Sequence, residues 1–156
     1  MDMREFTVYE MIYDKREVPG CGIECVPFLE GYLDEYKRIY NECFRPMREA
    51  LDIRPYDWYS EGREVPEDRS GIFLLVEDGE LAGSVSIIGN EVDGLFVAEA
   101  YRGKGHGREL LLWAMNKIRE QNSEAITLHV AKWNSGAAAL YESVGFIKSR
   151  TMNIGR

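Results

Sequence analysis

The spacing of hydrophobic and polar positions changes along the first half of the chain. Residues 6–13 are rich in β-branched and aromatic side chains and predict a strand, and residues 23–28 predict a second, shorter one. From about Leu29 the apolar side chains recur every three or four residues, which predicts a helix that Pro46 interrupts. Residues 54–71 contain many turn-forming residues and predict a loop.

Strand patterns dominate from residue 72 onward. Residues 72–89 predict two strands that meet at Asp78-Gly79, because this dipeptide favours a tight hairpin. Residues 91–97 predict a third strand, and a glycine-rich stretch separates it from the next helical pattern. The hairpin and the third strand together predict the antiparallel part of a sheet.

The last part of the chain alternates helices and strands. The helical pattern ends near residue 121, and a strand pattern covers residues 125–131. A short helix is predicted between Ser135 as N-cap and Gly145 as its C-terminal stop, before a final strand over residues 146–154. Hairpin strands followed by alternating helices and strands predict an α/β fold with a central mixed sheet flanked by helices.

Composition and charge restrict the class of protein. Of the 156 residues 45% are hydrophobic and 29% are charged, and no apolar run approaches the roughly 20 residues of a membrane helix. The absence of a secretory signal and three cysteines without zinc-type spacing predict a reduced, cytoplasmic protein without a metal site. The net charge of −8 argues against nucleic acid as a partner, because binding phosphates needs clustered Lys and Arg.

The stretch LFVAEAYRGKGHGRELLLWAMNKI, residues 95–118, has glycines at alternate positions 103, 105 and 107. Basic residues flank these glycines, and a helical pattern follows at once. A helix N-terminus attracts anions, and glycines allow a phosphate to approach the main chain. The stretch lacks both the Gly-Lys-Ser/Thr of a P-loop and the spacing of a dinucleotide fingerprint. It therefore predicts a phosphate or pyrophosphate site of another type.

Two motifs together resemble the GCN5-related N-acetyltransferase family. VAEAYRGKGHG, residues 97–107, resembles the acyl-CoA loop of this family, in which Arg/Gln-x-x-Gly-x-Gly/Ala follows a strand that ends in Val. Downstream, NSGAAALYESVGF, residues 134–146, matches the second family motif at its Asn, Ala, Tyr, Gly and Phe positions. The resemblance covers about residues 72–154 and is weaker before them.

The resemblance implies one domain, residues 1–156, with a mixed, mostly antiparallel and splayed sheet. Residues 1–28 would add an N-terminal strand or hairpin, residues 29–70 would form a helical acceptor side, and residues 71–156 would bind acetyl-CoA. The implied reaction transfers an acetyl group directly from acetyl-CoA to a primary amine of a small molecule or peptide. The residues implied in binding acetyl-CoA are Leu95, Phe96, Val97, Arg102, Gly103, Lys104, Gly105, His106, Gly107, Arg108, Asn134, Ala137 and Tyr141.

The resemblance also implies catalytic roles. Tyr141 would be the general acid that protonates the CoA thiolate, whereas without the motif it would be interpreted as a core tyrosine. Glu91 lies where histone-type members have a glutamate base, and Asp93 follows on the same face; a water chain is the alternative. His106 occupies the variable loop position. His129 lies on a strand and could face the substrate cleft, but it is interpreted as a structural histidine with satisfied hydrogen bonds.

The acceptor side combines aromatic and acidic residues and weakly favours a cationic amine or basic peptide. Most of these residues could equally have structural roles, the aromatic ones in the buried stripe of a helix and the acidic ones on its solvent-exposed face. A non-catalytic acyl-CoA sensor is a second interpretation, and a homodimer is compatible with the resemblance. The residues concerned are Tyr32, Asp34, Glu35, Tyr36, Tyr40, Glu42, Trp58, Tyr59 and Glu61.

Overall fold

The computed structural model describes residues 5–60 and 62–155, so residues 1–4, Glu61 and residue 156 lie outside the described residues. None of the described helices is both long and apolar enough to cross a bilayer. The elements in chain order are β1 (Glu5–Tyr13), β2 (Val26–Pro27), α1 (Leu33–Ala50), β3 (Ile72–Glu77), β4 (Glu80–Ile88), β5 (Glu91–Val97), α2 (His106–Arg119), β6 (Ile126–Ala131), α3 (Ser135–Val144) and β7 (Ile147–Gly155).

The seven described strands form one sheet in the order β2-β3-β4-β5-β6-β1-β7. Every neighbouring pair is antiparallel except β5 and β6, which are parallel. Strands β3 and β4 meet at Asp78-Gly79, where φ is 51° and 78°, as a tight hairpin turn requires. The prediction of an α/β fold with a mixed, mostly antiparallel sheet is therefore confirmed.

Strand β1 lies inside the sheet between β6 and β7. It pairs with both neighbours, so that Glu10 is opposite His129 of β6 and Phe6 is opposite Ile154 of β7. It does not pair with β2, which lies at the far edge beside β3. Because side chains alternate along a strand, Phe6, Val8 and Glu10 share one face of the sheet with His129.

The helices cover the two faces of the sheet unequally. Helices α2 and α3 pack on one face, where residues 110–115 of α2 are buried without interruption. Helix α1 packs on the other face, where Tyr36 and Ile39 contact the buried Leu74 and Phe96. Helix α2 is thus buried along one stretch, whereas its Arg108 and Lys117 are exposed, and it packs on the central strands β4 and β5.

Helix α1 does not end at Pro46, contrary to the sequence prediction, but continues to Ala50. Proline removes one main-chain hydrogen bond, yet the turns after it keep theirs, from Leu51 N–H to Met47 O and from Ile53 N–H to Arg48 O. The helix therefore extends past the proline and carries Met47 and Arg48 to the end of the sheet.

We expect the stability of the fold to fall in alkali partly through Cys25, which is 6% exposed. Burial raises the pKa of this thiol from 9.0 to about 12, and the charge of Glu24 adds to the shift. Below pH 9 both the folded and the unfolded chain keep the proton. Above it only the unfolded chain releases the proton, so the free energy of unfolding falls by up to about 1.4 kcal/mol per pH unit.

Denaturant unfolding of Cys25→Ala should therefore show a flatter dependence on pH than the parent protein. Between about pH 8 and 10 we expect the parent to lose about 1.4 kcal/mol more than the variant. Cys21→Ala removes a half-exposed thiol and is the matched control, which should follow the parent curve. Parallel curves for Cys25→Ala and the parent protein would contradict the assignment.

Candidate active site

The parallel strands β5 and β6 separate almost as soon as they meet. They share one register pair, Glu91 with Thr127, supported by a hydrogen bond of 2.9 Å from Thr127 N–H to Asn90 O. Strand β5 stays paired with β4 beyond this point, and β6 stays paired with β1. A cleft thus opens between β5 and β6, and each of these strands remains hydrogen-bonded to its other neighbour.

A β-bulge in β5 lies where the two strands separate. Ser84 pairs with Phe96 and Ser86 pairs with Asp93, so Gly94 and Leu95 together oppose one residue of β4. Gly94 has a φ of +56°, which a residue with a side chain rarely adopts. The extra residue reverses the alternation of side chains, as Val92 packs on the α2 face and Phe96 on the α1 face.

The cleft has a volume of about 420 Å³ and passes between the α3 side and the α1 side of the sheet. On the α3 side it exposes Leu95, Asn134 and Tyr141, and on the α1 side it exposes the polar Arg48, Asp93 and His129. Apolar side chains complete its lining: Phe6, Val8, Phe44, Met47, Ile53, Val92, Leu128, Val130, Ala131 and Ile154, together with Tyr40 and Gly94.

Tyr141 and Asn134 are positioned by α3. Asn134 caps this helix, because its Oδ1 accepts a hydrogen bond of 3.3 Å from Ala137 N–H. Tyr141 is half-buried two turns later and packs beside Phe146, with ring centroids 6.3 Å apart. Burial raises the pKa of Tyr141, and the negative charge of Asp93 raises it further. The phenol therefore keeps its proton at neutral pH and can donate it.

The glycine stretch forms the loop before α2 and exposes the first amides of that helix. Gly103 and Gly105 have φ values of +77° and +83°, so both need the conformational freedom of glycine. Gly105 is the N-cap and provides no side-chain hydrogen bond, which leaves first-turn N–H groups available to an anion. Lys104 and Arg108 are exposed beside them.

Two side chains of this region, Arg102 in the loop and His106 at the start of α2, bond to other parts of the fold. His106 Nε2 lies 2.7 Å from Glu77 Oε1, and its ring faces Tyr101 rather than the cleft. Arg102 donates from Nε to Val97 O at 3.0 Å and from NH2 to Cys43 Sγ at 3.2 Å. His106 therefore ties α2 to β3, and Arg102 ties the loop to the end of β5.

His129 lines the cleft and lies between two carboxylates. Its Nδ1 is 2.7 Å from Glu91 Oε1, and its Nε2 is 3.6 Å from Glu10 Oε2. The imidazole is 40% exposed and lines the cleft, whereas Glu91 lies behind it. Glu10 comes from β1, so only the position of β1 next to β6 brings this group together.

Asp93 lies in the cleft among several tyrosine hydroxyls. Its charge contributes to raising the pKa of Tyr141 and of Tyr40, whose pKa rises to about 12 chiefly through burial. Tyr36, by contrast, is 2% exposed and belongs to the core. Of the aromatic residues predicted on the acceptor side, Tyr40 is the one that lines the cleft. Among the described residues no cluster of His, Cys, Asp and Glu could hold a metal ion.

Comparison with known proteins identifies a family. Residues 33–146 match the family model described as Acetyltransferase (GNAT) family. A mycothiol acetyltransferase of Kytococcus sedentarius is 29% identical over 134 residues, covering 80% of this chain and 45% of the relative. The N-alpha-acetyltransferase MAK3 of Arabidopsis thaliana is 38% identical over 58 residues, covering 37% of this chain and 30% of the relative.

Solved structures share the fold. An acetyltransferase from the GNAT family of Colwellia psychrerythraea superposes with a TM-score of 0.70 at 11% identity, covering 95% of this chain and 55% of that one. The chain thus spans less than half the length of the two curated relatives and about half of this structure. At this identity the likeness establishes the fold alone.

Proposed function

The chain belongs to the acetyltransferase (GNAT) family, and on this premise we propose that it transfers an acetyl group from acetyl-CoA to the primary amine of a small molecule or peptide. The observation that supports this most is the opening between β5 and β6, with Tyr141 on one side and Asp93 and His129 on the other. A thioester that entered from the α3 side would meet an amine from the α1 side inside the sheet.

The donor would bind along the end of β5 and the start of α2. The first-turn amides of α2, with Lys104 and Arg108, suit the pyrophosphate of CoA. The bulge removes Leu95 from one-to-one pairing with β4, which leaves its main chain suited to pantetheine or the thioester oxygen. Arg102 would act through the loop conformation, because its guanidinium bonds Val97 and Cys43.

The proposed chemistry is direct attack of the amine nitrogen on the thioester carbonyl. The new C–N bond forms, the C–S bond breaks, the phenol of Tyr141 gives its proton to the departing thiolate, and the proton that the new amide nitrogen loses restores the phenol. A cysteine route is disfavoured, because burial raises the pKa of Cys43 despite the nearby Arg102, and burial also raises that of Cys25. The acetyl group therefore passes to the acceptor in one step.

The ammonium of the acceptor must lose a proton before it can attack. His129 lines the cleft, and the ring nitrogens of an imidazole can accept or donate a proton. We assign the first proton acceptance to His129, with Glu91 orienting the ring through Nδ1 and Glu10 facing the other nitrogen. Asp93 would then hold the ammonium before proton transfer rather than act as the base.

Gly107→Ala tests the donor site without disturbing the fold. A Cβ at this position would meet Leu140 Cδ2 at 3.8 Å and Val97 Cγ2 at 3.9 Å, both ordinary contacts. The methyl group would nevertheless project between Val97 of β5 and Leu140 of α3, in the first turn of α2 where the donor is proposed to bind. We expect the affinity for acetyl-CoA, measured by calorimetry, to fall at least about tenfold, while the melting temperature is unchanged or higher because alanine favours helices.

Gly20→Ala is a control for this experiment, since a Cβ there meets no atom within 4 Å. It should bind acetyl-CoA like the parent protein. Equal affinity of Gly107→Ala and the parent would remove this part of α2 from the proposed donor site.

Steady-state pH profiles distinguish the two proton-transfer roles. Tyr141→Phe should lower kcat by about 100-fold or more at every pH at which the phenol of the parent protein keeps its proton, because the leaving thiolate loses its proton donor. His129→Gln should lower kcat/KM most at low pH and recover as pH rises, because the free amine then becomes abundant. Glu91→Gln should cause a smaller loss with the same trend.

The opposite pattern would contradict these assignments. If His129→Gln and the parent protein give superimposable profiles, the proton leaves through water or Asp93. If Tyr141→Phe turns over at the parent rate, the phenol is not the acid. Binding of acetyl-CoA by both variants, measured separately, ensures that a loss of rate reports on chemistry.

A further inference from the structure

The α1 side of the cleft has an apolar wall that extends beyond the reacting groups. Its members come from α1, the loop after it, β1 and β7; Val8 is buried, Ile154 is exposed, and the others are partly buried. Phe6 and Ile154 are register partners, so the insertion of β1 brings them side by side. The wall consists of Phe6, Val8, Phe44, Met47, Ile53 and Ile154.

Two charged side chains of opposite sign accompany this wall. Asp93 is the one carboxylate among the described residues that line the cleft. Arg48 is the guanidinium, held 4.6 Å above the Trp58 ring and donating from Nη1 to Pro55 O at 2.9 Å. It lines the cleft, and the bond to Pro55 uses one of the five N–H donors that a guanidinium offers.

Two acidic residues of the acceptor region lie outside the cleft. Glu35 and Glu42 line a separate hollow of about 380 Å³ together with Glu80 and Glu99, and this hollow does not include Asp93 or His129. Glu42 is also bonded to Arg38, and Glu35 accepts a hydrogen bond from Leu81 N–H. Among the described residues that line the cleft, Asp93 is therefore the single carboxylate, and Arg48 adds a positive charge, which does not suit a polyamine or a lysine-rich peptide.

We infer that the acceptor, within the function proposed above, is an α-amine whose carbon carries a large apolar side chain and a carbonyl or carboxylate group. The ammonium would pair with Asp93 beside His129, the apolar side chain would contact the wall, and the carbonyl oxygen would accept from Arg48. The amino-terminal residue of a peptide and a free apolar amino acid share this chemistry.

Competing acceptors test the inference with the parent protein. Heptapeptides of one sequence would begin with Met, Leu, Phe, Ser, Glu or Lys, and an amino-blocked peptide would carry a single lysine. Thiol release and product mass would be measured for each. We expect kcat/KM at least about tenfold higher for Met, Leu or Phe than for Ser, Glu or Lys, and least for the lysine side chain.

Free leucine and leucine amide distinguish the two sources of the ligand. Preference for the peptides identifies an amino terminus, and preference for free leucine identifies an amino acid; either supports the inference. Equal rates for all first residues, or preference for lysine or a polyamine, would overturn it while leaving acetyl transfer intact. Acetylation of none of these amines by a protein that binds acetyl-CoA would overturn the proposed function with it.

Arg48→Met tests the carbonyl contact. We expect kcat/KM for a Leu-initial peptide to fall about tenfold or more, mainly through KM, because one charge-assisted hydrogen bond is lost. The rate with isopentylamine, which has the apolar group but no carbonyl, should stay within about twofold of the parent. Equal losses for both amines would overturn the contact.

Arg63→Met is the matched control. Arg63 lies 3.8 Å from the same Trp58 ring as Arg48 but is not part of the cleft lining. Its replacement disturbs the stacking on Trp58 without changing the charge in the cleft. We expect both acceptors to retain the parent selectivity in this variant, and a loss like that of Arg48→Met would overturn the role of Arg48.

Discussion

The structure depends on two neighbouring strands, β5 and β6, that separate from each other while each stays paired with its other neighbour. Strands β5 and β6 share a single register pair, while β4 and β1 continue to bond their outer edges. The bulge at Gly94 makes the separation compatible with continuous β4–β5 pairing, because the extra residue turns the side chains without breaking the strand. The main-chain hydrogen-bonding groups that face the opening are thus left for a ligand.

The position of β1 between β6 and β7 completes the lining of this opening. Inserted between β6 and β7, β1 places Glu10 opposite His129 and Phe6 opposite Ile154. One strand therefore contributes both to the histidine–carboxylate group and to the apolar wall. Helix α1 supplies the facing side because it continues past Pro46 and carries Met47 and Arg48 to the cleft.

Much of the fold was predictable because its signals are local. Asp78-Gly79 encodes its own turn, and the two family motifs each lie within about a dozen residues. The roles of individual glycines were less accessible: Gly103 and Gly105 are required by their backbone conformation, whereas Gly107 leaves space between β5 and α3. The carboxylate partners of His129 could not be identified from the sequence, because Glu10 and Glu91 lie on strands distant in sequence. The amino-acid sequence of β1 or of β6 alone does not indicate that these two strands pair with each other.

Backbone hydrogen exchange with and without acetyl-CoA measures whether the opening between β5 and β6 binds the donor. If the opening binds the donor, the amides of residues 94–97 and 103–108 should exchange more slowly in the complex, while those of β2 and β3 change little. Protection confined to other elements, or none at saturating acetyl-CoA, would contradict the account.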